Sequence, residues 1–342
     1  MPELVDHLAE LTGFRDRALL DVTLASALRD LLRPRSLTVF RSVGDTGHER
    51  WLNCAHLAAG DLAASADPSW VDIDSLPLRS ADAARLEAFL RHDVVTVAGS
   101  PHRSVFPLTT DRAVVGVLEV ESDAPLDEKE RRLVASILRI YSNFEALLDY
   151  SEHDSLTGLL NRKSFDESFM KAAAMPPPSL LLDAPGRRGQ NEAGSHWVGV
   201  IDIDHFKRVN DRYGHLIGDE VLLLLARLMR SSFRFHDRLY RFGGEEFVVL
   251  MRCQGAEAAA GAFERLRRNV EAYAFPQVGS ITVSIGFTEL KVGDTPSGAF
   301  ERADKAVYHA KGNGRNQVSS HALLVASGQL VEDDKVGGIE LF

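Results

Sequence analysis

Cysteine is scarce. The 342-residue chain has two, Cys54 and Cys253, far apart in sequence. That excludes a disulfide-built scaffold and reads as free thiols in a reducing compartment. Positive charge is also in short supply. There are 49 acids against 39 Lys and Arg, giving a net charge of -10 and a pI near 5.7. Such a balance argues against a broad nucleic-acid or anionic-membrane surface, yet leaves room for a local basic pocket. Long apolar runs are missing too: one of the strongest, Val221–Ala226 (VLLLLA), falls far short of the roughly 20 residues that span a bilayer. The opening MPELVDHLAE has acids and no basic apolar leader, so no secretory signal is expected. No internal repeat is present. These absences lead to the expectation of a soluble, cytoplasmic protein with no transmembrane segment and no nucleic-acid partner.

What is there suits a globular protein. Hydrophobic residues make up 45% and charged residues 26%, enough for a sizeable core. The length favours two domains over one. Leu4, Leu8, Leu11, Leu24, Leu28 and Leu31 follow three- and four-residue spacing, which predicts a helix over 1–32 closed by Pro34. From 36 to 124, short β-branched stretches (SLTVF, DVVTVAG, SVFPLTT, AVVGVLEV) surround the helix-like SADAARLEAFLRH. This is the pattern of a small α/β unit with an antiparallel sheet. Leu126 to Ser151 reads as one helix whose Val134, Ile137, Tyr141, Phe144 and Leu148 form a seam of about two heptads. The seam suits either packing onto its own domain or a stalk between two halves.

The second half alternates strands and helices around the stretch RFGGEEF, Arg241–Phe247. Before it, Pro176–His196 is rich in Pro, Gly and polar residues and reads as a long loop. Two glycines between apolar runs predict a tight hairpin, since its turn needs φ > 0. The two glutamates are either solvated turn residues or holders of something positive. A neighbour sharpens the choice. The strand VGVIDID is apolar up to Asp202, where an ionised carboxylate is costly unless paired or metal-bound. If that strand lies beside the hairpin, Asp202 and Glu245 converge, and carboxylates with a backbone carbonyl and phosphate oxygens are how Mg²⁺ is held. Lys207, Lys311 and Arg315 offer phosphate binding, with helix capping as the plainer reading of the last two. Asn210 and Asp219 have the hydrogen-bonding groups to read a base, and a carboxylate matches the N1–H and N2–H₂ donors of guanine.

Six pieces stand in order. They are DSLTGLLNR (154–162), DIDHFKRVND (202–211), YGHLIGDE (213–220), RFGGEEF (241–247), SIGF (284–287) and ADKAVYHAKGNGRN (303–316). Together they resemble a GGDEF-family diguanylate cyclase over about 151–319. FPLTTDRAVVGVLEVES (106–122), leading into a long helix, is loosely similar to a GAF domain. The resemblance implies an α/β (α+β) chain. A helix 1–32 precedes a GAF-like sensory and dimerisation domain, 33–150. The linker helix of about 126–151 joins this to a nucleotidyl-cyclase-like domain, 151–319, with a mixed, antiparallel-containing sheet flanked by helices. A tail, 320–342, follows.

It also implies roles. Asp202, the Ile203 carbonyl and Glu245 hold Mg²⁺ (Mn²⁺ as a substitute), two ions per site. Gly243 and Gly244 let the turn approach GTP, and Glu246 lies at the same turn. Asn210 and Asp219 read guanine, while Phe206, Lys207, Lys311 and Arg315 surround the phosphates. Asp202, Glu245, Glu246 and Lys311 form the catalytic set. Glu at the third signature position replaces the commoner Asp and keeps the carboxylate. RFHD places Arg234 and Asp237 as an RxxD site for inhibitory product, cyclic di-GMP, joined by Arg265; the plainer reading is a helix-end ion pair. Asp154 and Arg162 are expected to pair with each other, Asp204 to support the site, and His205 and His215 to be solvated or packed. One domain serves one GTP, so a homodimer is expected, with an unknown small-molecule or protein input at the GAF-like domain. Cys54 stands alone, without a haem or bilin signature. Three rivals remain: a binding-only cyclic di-GMP receptor, a synthase of mixed dinucleotides, and an interaction protein.

Overall fold

The computed structural model describes residues 6, 9, 11–13, 16–44, 47–68, 71–110, 113–173 and 194–331. Most of the expected loop 176–196 and the tail beyond 331 therefore lie outside the described residues. The chain divides into two compact units, Met1–Ser151 and Glu152–Phe342.

In the first unit the helix expected over 1–32 is not continuous. Residues 11–13 are helical, but Asp16 is extended (φ -113°, ψ 123°) and its carboxylate accepts the Ala18 N–H. That N-cap starts a new helix, α1 (Arg17–Leu32). Five strands follow, β1 (Ser36–Val43), β2 (Arg50–Ala58), β3 (Val95–Val97), β4 (His102–Thr109) and β5 (Val114–Ser122). All pairings are antiparallel, in the order β2-β1-β5-β4-β3. Helix α2 (Ala83–Arg91) covers Trp51, Val105 and Val117 on one face. On the other face α1 and α3 (Glu128–Glu152) bury Leu24, Leu28, Val39, Leu118 and Tyr141. The heptad seam of α3 is used here: Val134, Ile137, Tyr141 and Leu148 are buried in this core and Phe144 packs against it. A polar knot ties the same layers. Arg41 of β1 pairs with Asp21 of α1 (3.1 Å) and with Glu145 of α3, and the Tyr141 hydroxyl donates to Asp21.

The second unit holds a six-stranded mixed sheet, order β11-β10-β7-β9-β8-β6. Its strands are β6 (Leu160–Asn161), β7 (Ser195–Ile203), β8 (Arg238–Gly243), β9 (Glu246–Cys253), β10 (Val283–Glu289) and β11 (Val318–Ser320). The central pairs are antiparallel, and the outermost two, β6·β8 and β10·β11, are parallel. Its helices are α4 (Arg162–Ala173), α5 (Phe206–Tyr213), α6 (His215–Ser232), α7 (Gly255–Ala272), α8 (Pro296–Gly312) and α9 (His321–Ala326). The described start of the expected tail is thus structured, as β11 and α9.

Strand side chains alternate between faces, and this sorts the unit. Trp197, Ile201 and Ile203 of β7 join Phe247, Val249 and Met251 of β9 in one core with α5, α6 and α7. Val198 and Val200 join Val248 and Leu250 in the other, under α4 and α8. Each fully buried side chain of this size contributes roughly 1.5–3 kcal/mol. Continuing the alternation, Asp202 and Glu246 fall on the α8 face. Gly286 of β10 lies on that face too. A Cβ there would meet the Ala303 carbonyl oxygen at 2.1 Å and the Val307 nitrogen at 2.4 Å, so α8 rests its backbone directly on the strand.

Candidate active site at a hairpin tip

The hairpin forms as the glycines predict. β8 ends at Gly243, which pairs with Glu246, leaving Gly244 and Glu245 as the two loop residues. Gly244 has φ +52° while Glu245 does not enter positive φ. Glycine at the first loop position is the requirement of a type II′ turn. Gly243, at φ +139°, follows a register shift after Arg241. A Cβ added at Gly243 or Gly244 would meet nothing within 4 Å, so open space lies beside the turn.

Asp202 sits one residue before the end of β7, directly opposite Glu246 of β9 and Ser284 of β10. Its carboxylate is buried and lies 2.7 Å from Lys311 Nζ at the end of α8. Burial raises the Asp202 pKa, and the lysine opposes that only in part. Glu245 is also raised, first by burial and then by Asp202, with Glu246 adding and Lys311 opposing. Glu246 rises for the same first two reasons, and Asp304 of α8 adds to them. One ammonium therefore faces a surplus of carboxylates that repel one another. Such a cluster suits a hard divalent cation by charge and donor type. Among the described residues no three acidic, histidine or cysteine side chains are placed to hold a metal unaided. Asp202 and Glu245 would need oxygens from the Ile203 carbonyl and from a bound phosphate.

The other expected residues distribute as follows. Asn210 of α5 packs against Gly218 of α6, where a Cβ would meet Asn210 Oδ1 at 2.0 Å, and Asp219 is the residue that follows Gly218. Asp219 is exposed. The Phe206 ring is buried in the core, which leaves its backbone rather than its side chain for phosphates. Lys207 and Arg315 are exposed, and Arg315 takes a left-handed φ of 64° just past α8. Asp204 is buried and accepts from Thr282 Oγ1 (2.7 Å), Ser284 Oγ (2.7 Å) and the Asn316 N–H (3.0 Å). It ties the end of β7 to β10 and to the loop after α8. His205 is exposed, at φ 59° ahead of α5, and His215 is exposed at the start of α6.

The expected Asp154–Arg162 pair does not form. Asp154 instead accepts from Arg241 Nη1 (3.0 and 3.2 Å), and from the Thr157 N–H and hydroxyl. Arg162 lies over the Phe242 ring, 5.5 Å from its centre. Sequence proximity suggested the wrong partner, because Arg241 is 87 residues from Asp154 and only the β6·β8 pairing brings them close. Asp304, Arg162 and Arg241 were not anticipated as neighbours of the acids. Asp304 sits inside the motif ADKAVYHAKGNGRN, about two helical turns before Lys311 on the same face.

At RFHD the plain ion pair is absent. Asp237 Oδ2 accepts the Arg234 backbone N–H at 2.8 Å rather than its guanidinium, and the Arg234 side chain is exposed. Asp237 Oδ1 is buried without a hydrogen-bond partner, and burial pushes this carboxyl up to about 6. Arg265 of α7 does not bond Asp237. Its guanidinium donates to the Ser232 carbonyl (2.9 and 2.6 Å), although its charge acts on Asp237. A separate surface hollow of about 240 Å³ is lined by His205, Arg208, Arg212, Tyr213 and Thr282, with no hairpin residue among its walls.

Residues 151–317 match the family described as diguanylate cyclase, GGDEF domain. Diguanylate cyclase DgcP of Pseudomonas aeruginosa is 40% identical over 168 residues, covering 48% of this chain and 23% of that protein. Diguanylate cyclase DgcS of Shewanella oneidensis is 34% identical over 212 residues, covering 61% of this chain and 66% of that protein. The chain thus spans less than two thirds of either relative. Among solved structures, the GGDEF domain of DgcB from Caulobacter crescentus in complex with c-di-GMP is 33% identical. It covers 50% of this chain and 96% of that one, with a TM-score of 0.44.

Proposed function

We propose that this chain, whose residues 151–317 are a GGDEF domain, is a diguanylate cyclase that joins two GTP into cyclic di-GMP and releases two pyrophosphates. The observation that carries this reading is the meeting of Asp202, Glu245, Glu246 and Lys311 beside a hairpin whose glycines leave open space. Mg²⁺, with Mn²⁺ as a substitute, would be held two ions per site by Asp202, the Ile203 carbonyl and Glu245. When bound it supplies Lewis-acid polarisation of the phosphate and a lower pKa for the attacking hydroxyl.

The chain's own residues do the rest. Gly243 and Gly244 admit the nucleotide to the turn, and Asn210 and Asp219 receive guanine. Lys207, Lys311, Arg315 and the Phe206 backbone surround the triphosphate, whose charge favours such donors. Glu246, its carboxyl raised by burial and by Asp202, accepts the 3′-hydroxyl proton. A 3′-oxygen–phosphorus bond forms, the bond between the α-phosphorus and the bridging oxygen breaks, and pyrophosphate leaves. Each site serves one GTP, so two domains must face each other in a homodimer. Positioning then supplies much of the acceleration.

The finer parts of the reading stand on separate supports. Exposed Arg234 and the Asp237 oxygen, which accepts no hydrogen bond and has only His236 Nε2 at 3.9 Å, favour product binding, since guanine supplies donors and the product supplies phosphates. The antiparallel sheet of the first unit, covered on both faces, suits a GAF-like input domain for a small molecule or protein. Among the described residues no helix is long and apolar enough to cross a membrane, and we place the protein in the cytoplasm, where GTP is. The test is to incubate the purified chain with Mg²⁺ and GTP, with and without ATP, and to weigh the products. Cyclic di-GMP alone is expected. No turnover would favour a binding-only receptor, and a mixed dinucleotide would overturn the guanine assignment.

A further inference from the structure

The hollow beside the start of α5 is walled by none of the residues assigned above to GTP, metal or product. One wall is a single face of α5, where Arg208 and Arg212 lie one turn apart with Val209 and Tyr213 beside them. The facing wall is the turn before β10. Phe275 and Gly279 exchange backbone hydrogen bonds there (both 2.8 Å), and Val278 and Ile281 line the hollow. Thr282 Oγ1 donates to Asp204 (2.7 Å), and the Asp204 N–H donates to the Thr282 carbonyl (2.9 Å), which fastens this turn to the residue just ahead of α5. Like charges one turn apart on a helix repel, and elsewhere in this unit arginine is answered by acid. Arg241, Arg267 and Arg302 each bond a carboxylate. Arg208 and Arg212 are exposed and make no ion pair or hydrogen bond among the described residues, not even with Asp211 between them. The acid in the walls, Asp204, is occupied by Thr282, Ser284 and the Asn316 N–H. Arg212 lies over the Tyr213 ring, 5.1 Å from its centre.

We infer that this hollow binds a small phosphate monoester that carries a flat apolar ring. A phosphate offers three oxygens to two guanidinium forks, and arginine holds such groups through paired N–H bonds. Behind the forks, Tyr213 presents an aromatic face, and Val209, Val278 and Ile281 present aliphatic surface. A ring suits that surface, whereas a bare sugar would leave hydroxyls facing it unpaired. At about 240 Å³ the hollow admits one ring and one phosphate, and not a dinucleotide. The net charge of the chain is -10, so two unanswered cations make a local seat for an anion rather than part of a broad basic face. Since no residue of the proposed GTP set is among its walls, the inference does not rest on the cyclase reading.

The test titrates the full chain with phenyl phosphate, AMP and inorganic phosphate while amide hydrogen exchange is followed. A non-hydrolysable GTP analogue and cyclic di-GMP are present in excess, so that any other nucleotide sites are filled. Phenyl phosphate should protect 205–213 and 278–282, and should bind at least about tenfold tighter than inorganic phosphate because its ring is buried. Protection by AMP as well would place the ligand among mononucleotides, and protection by phenyl phosphate alone would place it among simpler aryl phosphates; either result supports the site. Arg208→Gln and Arg212→Gln should each weaken binding about 10–100-fold, the loss of one charge-assisted bond. Both side chains are exposed and unpaired, so the melting temperature should stay near that of the wild type. Tyr213→Leu should erase most of the preference for phenyl phosphate over inorganic phosphate. The inference is overturned by any of three results: no protection at millimolar phenyl phosphate, equal affinity for inorganic phosphate, or protection that survives in the Arg208→Gln, Arg212→Gln double variant.

Discussion

Replacing Lys311 by Met removes the one ammonium that faces Asp202 while keeping the side chain's length. The consequence follows from burial. A buried ion pair that loses one partner costs about 3–5 kcal/mol, and an exposed pair less than about 1 kcal/mol. Asp202 is 9% exposed at its side chain and Lys311 is 32%, so an intermediate loss of about 2 kcal/mol is expected at neutral pH. For a domain of this size that is about 4–8 °C in melting temperature. The sign of the pH dependence is set by the raised carboxyls. Asp202 already sits above its unfolded value because of burial, and losing Lys311 raises it further. The folded variant then holds a proton that the unfolded chain has released. Its stability is therefore greatest in acid and is lost as pH rises through the folded pKa. The deficit against wild type should close toward acid pH and widen toward neutral. Scanning calorimetry checks this on the transition that responds to added GTP, which identifies the second unit. Asp202→Asn in the same variant should recover most of the loss. Equal melting temperatures for wild type and Lys311→Met from acid to neutral pH would refute the pairing and the surplus-charge argument with it.

Asp202→Asn and Glu245→Gln should each lower turnover by at least about 10²–10³-fold, with little change in melting temperature for Glu245→Gln and a loss for Asp202→Asn only as far as the partly exposed Lys311 misses its partner; near-normal cyclic di-GMP synthesis by either would sink the metal assignment. Gly218→Ala should raise the KM for GTP by about tenfold, roughly 1.4 kcal/mol, because the new methyl would displace Asn210 Oδ1; an unchanged KM would place base reading elsewhere. Asp219→Ser should admit some ATP, read by competition of ATP against labelled GTP. Arg234→Ala should spare initial rates and weaken inhibition by added cyclic di-GMP about 10–100-fold, the loss of one charge-assisted bond. In the wild type that inhibition should fade as pH drops through about 6, where Asp237 takes up a proton; identical inhibition curves across that range would remove Asp237 from the site.

The motif residues were legible because each demands a local geometry. Two glycines made the hairpin, and an apolar strand ending in Asp202 announced a buried charge. Alternation along VGVIDID even carries the face: Val198 and Val200 point under α8, so Asp202 does as well. Other features left no local trace. β2 (RWLNCAHLA) mixes Asn, Cys and His into a strand, so no run of β-branched residues marks it. Asp16 ahead of Arg17 and Ala18 is a recognisable N-cap, yet leucine periodicity on both sides of it masked the break. The α3 seam has the same spacing whether it meets its own sheet or another helix, and periodicity cannot separate those. Asp154 finds Arg241 only through a parallel strand pair, which no nearby residue foretells.

Gly286 has no functional group and lies a strand's width from the acids, but it decides how far away the Lys311 ammonium is rooted. With Ala303 and Val307 seated on bare strand backbone, α8 behaves as a ruler clamped at its middle, and the Cα of Lys311 is a graduation on it. Any methyl inserted at the clamp would lift the ruler, and the error would be read at its far end. Mobility of the ammonium is then confined to four methylenes: enough to swing about the Asp202 carboxylate, and too little to wander from it. The smallest side chains in the domain thereby set the reach of one of its most consequential.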